Sequence, residues 1–222
     1  MVKELPTLSQ IKNAQKPRVW DFGNSVLYKL CQDHYAHEED QYILTKVLFI
    51  GRVYSAAIER RKNKKEGINE DFYTELVVPR IKNSALDTKL EALEKINPRT
   101  NEGIEQILET HNYLTDLLDK GVTESKKRSF TSKYLHFHKP SFFYIYDGRA
   151  VGALRNFISY MPNTLKHLCK QTNIDEEYGK FYSKCAEVRE KIKSEYGVDL
   201  SIRDFDQLLL DIANEESRRI GK

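Results

Sequence analysis

Apolar residues recur along most of the chain at the three- and four-residue spacing of an amphipathic helix. The stretch 40–62 illustrates this, because its apolar positions fall on one helical face. They are Ile43, Val47, Ile50, Tyr54, Ala57 and Ile58. Arg60, Arg61 and Lys62 follow, at the end where the helix dipole favours cations. The pattern predicts one continuous helix over 40–62.

A longer apolar stripe covers 102–119 and stops at Gly121, since glycine commonly follows the last turn of a helix. Leu86, Leu90 and Leu93 indicate a shorter helix before it. Ser201 and Asp204 resemble a capping box at the start of the last helix. The remaining predicted helices cover 70–82 (broken near Pro79), 125–138, 148–160, 164–171, 175–196 and 201–216.

Strand-like alternation is scarce, and its best example, 142–146, is very short. The predicted fold class is therefore all-α. A length of 222 residues suits one domain over 1–222, and two tightly coupled helical lobes also fit. The polar loop 97–101 is the expected lobe boundary.

Composition excludes few classes of function. The 36 basic and 33 acidic residues give a net charge of +3, which permits nucleic-acid binding without arguing for it. Cys31, Cys169 and Cys185 are odd in number and far apart, so a disulfide framework is not expected. The N-terminus lacks the apolar stretch of a signal peptide, and no apolar run is long enough for a membrane span. We expect a cytoplasmic protein.

A basic segment follows the stripe at 102–119. A tight turn at Gly121, Val122 and Thr123 leads into the next predicted helix, and such turns can present free backbone N–H groups to a phosphate. The cations of this segment are Lys126, Lys127, Arg128, Lys133 and Lys139. The alternative interpretation of Lys126 to Arg128 is a solvated helix start.

Asp147 is the sharpest candidate for chemistry. It directly follows the aromatic and apolar run 142–146, so we expect its carboxylate to be partly desolvated. The alternative is a purely structural N-cap, because aspartate is a preferred cap and a helix is predicted from Gly148. The two roles are compatible, since a capping side chain has a fixed orientation.

These segments resemble the helix-hairpin-helix DNA glycosylase superfamily, and in particular bacterial proteins of the 8-oxoguanine DNA glycosylase fold. The resemblance covers roughly 20–215 and rests on 132–138 (SKYLHFH), 145–149 (IYDGR) and 50–60 (IGRVYSAAIER). It implies two helical lobes around a DNA-binding cleft, double-stranded DNA as partner with one base flipped out, and no cofactor. We expect a monomer.

The resemblance also assigns roles to residues. Asp147 matches the catalytic aspartate, while Gly121 and Val122 match the start of the hairpin, with Thr123 in place of its second glycine. The further DNA-binding residues are predicted to be Lys126, Lys127, Arg128 and Lys133. Some relatives carry a nucleophilic lysine after the hairpin, but Ser125 or Ser129 occupies that position here. The implied enzyme is therefore a monofunctional glycosylase.

Aromatic and histidine residues supply candidates for a base pocket, since a flipped base is held by stacking and edge hydrogen bonds. The candidates are Tyr54, His136, Tyr144 and Tyr146, and core packing is the alternative for each. Trp20 and Phe22 are expected to pack on the protein, and insertion into DNA is the alternative. His136 and His138 point in different directions on a helix, so no metal site is expected.

Other functions remain open at the level of sequence. A non-catalytic helical module that binds DNA or RNA would use Asp147 only as a cap, and a helical protein–protein adaptor would leave the cations solvated. For a glycosylase, the target is either a damaged base, as in repair, or a modified base of foreign phage DNA, as in antiviral defence.

Overall fold

The chain is all-helical in the residues that the computed structural model describes, namely 4–61, 72–123, 125–162 and 166–220. Ten α-helices and no strand occur in these ranges. The helices are α1 (Leu8–Ala14), α2 (Asp21–Asp33), α3 (Asp40–Val53), α4 (Val78–Lys82), α5 (Leu86–Ala92), α6 (Asn101–Asp119), α7 (Arg128–His138), α8 (Gly148–Phe157), α9 (Glu176–Tyr196) and α10 (Ile202–Ile220). The all-α prediction is confirmed.

Helix α7 lies at the centre of the packing. Every residue from Phe130 to His138 is buried, and α2, α3 and α6 all pack against this helix. Helix α10 packs mainly on α8 and α1. One cluster of buried apolar side chains extends from Ile11 to Ala213, so both groups of helices contribute to the same core. None of the helices in the described ranges is long and apolar enough to cross a membrane.

Helix α6 follows its sequence signals closely. The Thr100 hydroxyl caps it by accepting the Gly103 N–H at 3.1 Å, and the predicted stripe is buried along its length. Gly121 then turns the chain with φ +77°, a backbone region that favours glycine. The loop 97–101 leads from the 3₁₀ turn Leu93–Lys95 into this helix.

The predicted helix over 40–62 is wrong as a single element. Helix α3 ends at Val53, Ser55 takes φ +54°, and a separate 3₁₀ turn covers Ile58–Arg61. The break has a structural cause that periodicity does not reveal, because the Tyr54 hydroxyl donates to Asn24 and the Tyr54 carbonyl accepts from Lys133. Lys62, the last residue of the predicted helix, lies outside the described residues.

The segment 142–146, the best strand candidate of the sequence, does not form a strand. Its polar groups bond to side chains from helices instead of to a second strand. The Phe143 carbonyl accepts from His136, the Tyr144 carbonyl accepts from the Tyr178 hydroxyl, and the Tyr146 N–H donates to the Ser132 hydroxyl. The segment is thus an extended loop fixed to α7 and α9.

Other boundaries differ less. Pro79 does not break its helix but sits in the first turn of α4, which follows a π-helical turn at Phe72–Val77. The described part of 164–171 contains only the 3₁₀ turn Leu168–Lys170, and residues 163–165 lie outside the described ranges. The capping contact from the Asp204 N–H to the Ser201 hydroxyl is present at 3.0 Å.

The N-terminal aromatic residues depart from the packing expected of them. Trp20 is 69 % exposed and Phe22 is 80 % exposed, and Val19 beside them is 92 % exposed. Asn24, one turn further along the chain from Trp20, is buried. The start of α2 therefore turns a polar amide inward and leaves an apolar patch outside, which is the reverse of ordinary core packing.

Candidate functional site

A cavity of about 570 Å³ opens between the end of α3, the residue before α2, helix α7, the loop before α8, and α10. Its wall carries two carboxyl groups, one lysine and two arginines. Its titratable side chains belong to Tyr54, Lys133, Asp147, Arg149, Arg203 and Asp206. The structure thus brings two predicted site residues, Lys133 and Tyr54, next to Asp147.

Asp147 is the N-cap of α8. Its Oδ1 accepts the Arg149 N–H at 2.9 Å, and its Oδ2 lies 3.5 Å from Nζ of Lys133. Burial disfavours the charge of this carboxylate, but Lys133 and the backbone and guanidinium groups of Arg149 outweigh burial and hold the pKa of Asp147 below its usual value. The carboxylate is therefore ionised, oriented and about one-quarter exposed.

Lys133 is the cation at the centre of the site. It is only 6 % exposed, and three acceptors surround its Nζ: the Ser129 hydroxyl at 3.0 Å, the Tyr54 carbonyl at 3.2 Å and Oδ2 of Asp147 at 3.5 Å. Burial outweighs the attraction to Asp147, so the pKa of Lys133 is lowered. Three acceptors match the three protons of an ammonium group, which fixes the position of this charge.

Asp206 is a carboxyl group that the sequence did not single out. It lies on α10 within the apolar stripe of Phe205 and Leu209, and it is 4 % exposed. Its Oδ2 accepts from Arg203 at 3.0 Å, whereas its Oδ1 has no hydrogen-bond partner among the described residues. A charged residue inside an apolar stripe was the only signal, and burial of this position depends on how α10 packs.

Three residues predicted for a base pocket lie outside this cavity. His136 is fully buried between the Tyr28 hydroxyl and the Phe143 carbonyl, and burial lowers its pKa to about 4. Tyr144 is buried with its hydroxyl 3.4 Å from Arg189, and Tyr146 packs edge-on against Phe181. Their contacts are those of core residues. Tyr54 alone of the four lines the cavity.

The hairpin places its polar groups inward. The backbone N–H groups of Val122 and Thr123 both donate to the Asp119 carbonyl, at 3.4 and 3.3 Å. They are therefore not free donors, contrary to the expectation for this turn. Gly121 is exposed, while the side chains of Val122 and Thr123 are buried. The turn closes α6 and uses these two N–H groups within the protein.

The hairpin cations are the basic residues Lys126, Lys127 and Arg128, which follow the turn. Two of them form ion pairs within the protein. Lys126 lies 3.2 Å and Arg128 lies 2.7 Å from the carboxylate of Asp175, whose side chain is 1 % exposed. Asp175 also caps α9 by accepting the Tyr178 N–H. Lys127 is partly buried and has interactions of its own. Lys126 and Arg128 thus contribute to joining α7 to α9, in addition to any role toward DNA.

No group of three or more metal-binding side chains, counting His, Cys, Asp and Glu, occurs in the described ranges. Comparison of the chain with protein-family models, with curated proteins and with solved structures gave no match. The resemblance to helix-hairpin-helix glycosylases therefore stays a prediction from the quoted motifs, and a function for the chain has to be inferred from the geometry around Asp147.

Proposed function

We propose that this chain is a DNA N-glycosylase that hydrolyses the bond between deoxyribose and a flipped damaged base. One observation carries the proposal: an ionised, capped Asp147 is held beside buried Lys133 in a cavity of about 570 Å³. A cavity of this size lies in the range that accommodates small organic ligands, and a nucleobase is one of these.

Asp147 would act by electrostatic stabilisation. Departure of the base builds positive charge on the sugar, as in other glycoside cleavages. A carboxylate fixed by the Arg149 N–H needs no reorganisation when that charge develops, which makes its stabilisation effective. The same carboxylate would orient the water that attacks the sugar carbon.

Lys133 would keep Asp147 ionised and would not itself attack the sugar. Its Nζ already has three acceptors, so it fits the site as an anchored ammonium ion. We therefore keep the monofunctional assignment, in which water completes the reaction and leaves an abasic site. The Lys133 amine is near Ser129, one of the two positions that match the nucleophilic lysine of the resembling enzymes, so borohydride trapping on abasic DNA is the direct test.

The exposed apolar patch at the cavity rim supports a DNA-binding role. Trp20 both lines the cavity and is 69 % exposed, and Val53, which also lines it, is 47 % exposed. Flipping a base leaves a gap in the stack, and an exposed aromatic or apolar side chain can fill such a gap. In this proposal α3 and α7 form one wall of a two-lobed cleft, and α8 and α10 form the other.

The hairpin cations would grip the DNA backbone without reading sequence. Lys126 is exposed and lies at the surface of the ion pair with Asp175, so a phosphate could share it. Arg128 is more firmly held by the same carboxylate, at 2.7 Å. We therefore assign the larger share of any phosphate contact in this region to Lys126.

A second candidate is a non-catalytic module that binds DNA or RNA. The observation that favours it is the contact from the Arg149 N–H to Asp147, which is what a purely structural cap makes. Such a module has no use for a buried lysine beside the cap, since an N-cap requires only the side-chain oxygen. For this reason we rank the enzyme first.

The test is base release from a panel of duplexes, scored by mass spectrometry. The panel contains uracil, hypoxanthine, 8-oxoguanine, 7-methylguanine, 5-hydroxymethylcytosine and DNA from a phage with glucosylated cytosine. Release of a damaged base supports repair, and release confined to the two modified cytosines supports defence. Absence of release from the whole panel, together with retained duplex binding, would favour the non-catalytic module.

A further inference from the structure

The second carboxyl group of the cavity has no role in the function proposed so far. Asp206 faces the same cavity as Asp147 but has a different environment. Asp147 is held by Lys133 and by a backbone N–H, whereas Asp206 has one partner, Arg203, which bonds only to Oδ2. Its Oδ1 is buried and lacks a partner among the described residues. Nine buried side-chain atoms of the described residues lack a protein partner, and Oδ1 of Asp206 is the one that belongs to a residue of this cavity wall.

Charges from several elements act on Asp206. The groups that influence it, or are influenced by it, are Arg203 on α10, Lys133 on α7, Asp147 and Arg149 at the start of α8, Tyr28 on α2 and Cys185 on α9. Burial has the largest effect and the Asp147 charge acts in the same direction. Together they outweigh the three cations and raise the pKa of Asp206 to about 6.

The environments of the two carboxyl groups thus shift their pKa values in opposite directions. The surroundings of Asp147 lower its pKa, whereas those of Asp206 raise its pKa to about 6. Two carboxyl groups pushed apart in this way commonly divide the acid and electrostatic roles in the cleavage of glycosidic bonds. The unpartnered Oδ1 is the atom on which a proton can sit without losing a hydrogen bond.

We propose that the Asp206 carboxyl is the general acid of this site, which protonates the departing base while Asp147 stabilises the sugar. The inference rests on the proposed glycosylase function and adds a catalytic residue to it. It also defines a substrate class, because a general acid is needed only for a base that leaves without a positive charge of its own.

The reaction breaks the bond between C1′ and the base nitrogen. The electron pair of this bond goes to the base, which takes the proton from the Asp206 carboxyl. Water adds its oxygen to C1′ and gives up one proton, first to Asp147 and then to solvent, and Asp206 regains a proton from solvent. The net change is the consumption of one water molecule, with a neutral free base and an abasic sugar as products.

The test is the pH dependence of base release by the wild type and by Asp206→Asn. The probe is the neutral base of the panel that the wild type releases fastest. In the wild type, single-turnover release should rise as pH falls through about 6. In the variant, release should drop by roughly 10² to 10⁴-fold, the usual contribution of general acid catalysis, and this pH-dependent limb should disappear.

Two controls separate chemistry from structure. Asp204→Asn makes the same change on the same helix outside the cavity, and it should leave the rate and the pH profile unchanged. A duplex with 7-methylguanine provides a base that is already cationic and leaves as a neutral molecule without a proton from the protein. Release of this base should change little in Asp206→Asn, which also shows that the variant is folded and binds DNA.

The outcomes are distinguishable. Loss of release from the neutral base with an unchanged pH profile, or equal losses on neutral and cationic bases, would overturn the assignment of Asp206 and leave the glycosylase proposal standing. Absence of release by the wild type from every base of the panel, at any pH between about 5 and 8, would overturn both.

Discussion

Two polar clusters lie along α7, and they differ in how completely their groups are paired. In the first, His37 bonds through its ring to Asp87 on one side and to the Tyr134 hydroxyl, at 2.8 Å, on the other. The backbone N–H of His37 donates to the same carboxylate at 2.9 Å. The second cluster surrounds Lys133 and Asp147 and includes Asp206. Oδ1 of Asp206 has no hydrogen-bond partner among the residues that the structure describes.

The difference indicates different purposes. The first cluster is closed, because each ring nitrogen of His37 has a partner and this residue is 2 % exposed. Such a network contributes specificity and rigidity to the core. The second cluster lines a cavity and keeps a carboxyl oxygen, Oδ1 of Asp206, that has no partner from the described residues and can be satisfied by a proton, a water molecule or a ligand. We infer that the closed cluster supports folding and that the incomplete cluster carries function.

The strongest test of this contrast is Asp147→Asn. The amide oxygen can still accept the Arg149 N–H, so the cap persists, but the negative charge is lost. Base release should fall by at least about 10²-fold, because removal of one electrostatic stabiliser of a transition state typically has that effect. Duplex binding should change little, whereas the melting temperature should fall, because the amide leaves the buried Lys133 ammonium without its ionic partner. Release at a rate close to that of the wild type would remove Asp147 from the mechanism.

Asp206→Asn should make the protein more stable, which is unusual for a change in a buried residue. The pKa of Asp206 is about 6 in the folded protein and 3.8 for the free side chain, so the folded state binds more protons between these values. The free energy of unfolding therefore decreases as pH rises through this window. At pH 7 the variant should gain about 1 to 3 kcal/mol relative to the wild type.

The gain should vanish well below pH 3.8, where both the folded and the unfolded wild type are protonated at this residue. Chemical denaturation at the two ends of this pH window measures the difference. A variant that is destabilised at neutral pH would mean that the ion pair with Arg203 outweighs the burial of the charge.

A substitution in the closed cluster around His37 should lower the stability of the protein and not raise it. Tyr134→Phe removes the hydroxyl that bonds to His37 and leaves a buried ring nitrogen unpaired. The expected loss of stability is about 1 to 3 kcal/mol. Base release per folded molecule should be unchanged, because Tyr134 is not part of the cavity wall. A large loss of activity in a folded variant would show that the two clusters are coupled through α7.

The smallest expected effect concerns the hairpin cations. Neutralising Lys126 should weaken binding to all duplex sequences alike and reduce the slope of log affinity against log salt by roughly 0.9. Neutralising Arg128 should change this slope less, since its guanidinium is held at 2.7 Å by Asp175, but it should cost stability. Equal slopes for wild type and both variants would place DNA elsewhere on the surface.

Much of the fold could be predicted because local signals agreed with packing. The apolar stripe of α6 with its stop at Gly121, and the helix that begins after Asp147, are determined within a few turns of chain. The capping role of Asp147 could be predicted for the same reason, since a helix cap is a local feature. Helices α1 and α2 were missed, in part because the exposed Trp20 and Phe22 obscure the apolar face of α2.

The rest of the site depends on contacts between distant segments. The burial of the Asp206 carboxyl depends on how α10 packs on other helices, chiefly α8 and α1, which the stripe of α10 does not specify. The end of α3 could not be predicted from spacing, because Tyr54 continues the helical pattern of apolar residues. Its hydroxyl and carbonyl bond instead to residues that are distant in the sequence. Sequence periodicity reports which face is apolar, but not which neighbour covers it.

The left-handed backbone at Ser55 has a consequence for how this site can be dissected by mutation. Non-glycine residues rarely adopt φ values such as +54°, and such conformations persist where the surrounding structure holds them. The Tyr54 carbonyl next to this residue accepts from Lys133, so part of the site is main chain. An alanine scan would report position 54 only through its ring and hydroxyl and would leave this carbonyl in place. The main-chain contact responds instead to the conformation of the following residue: Ser55→Gly permits the positive φ, whereas Ser55→Pro forbids it.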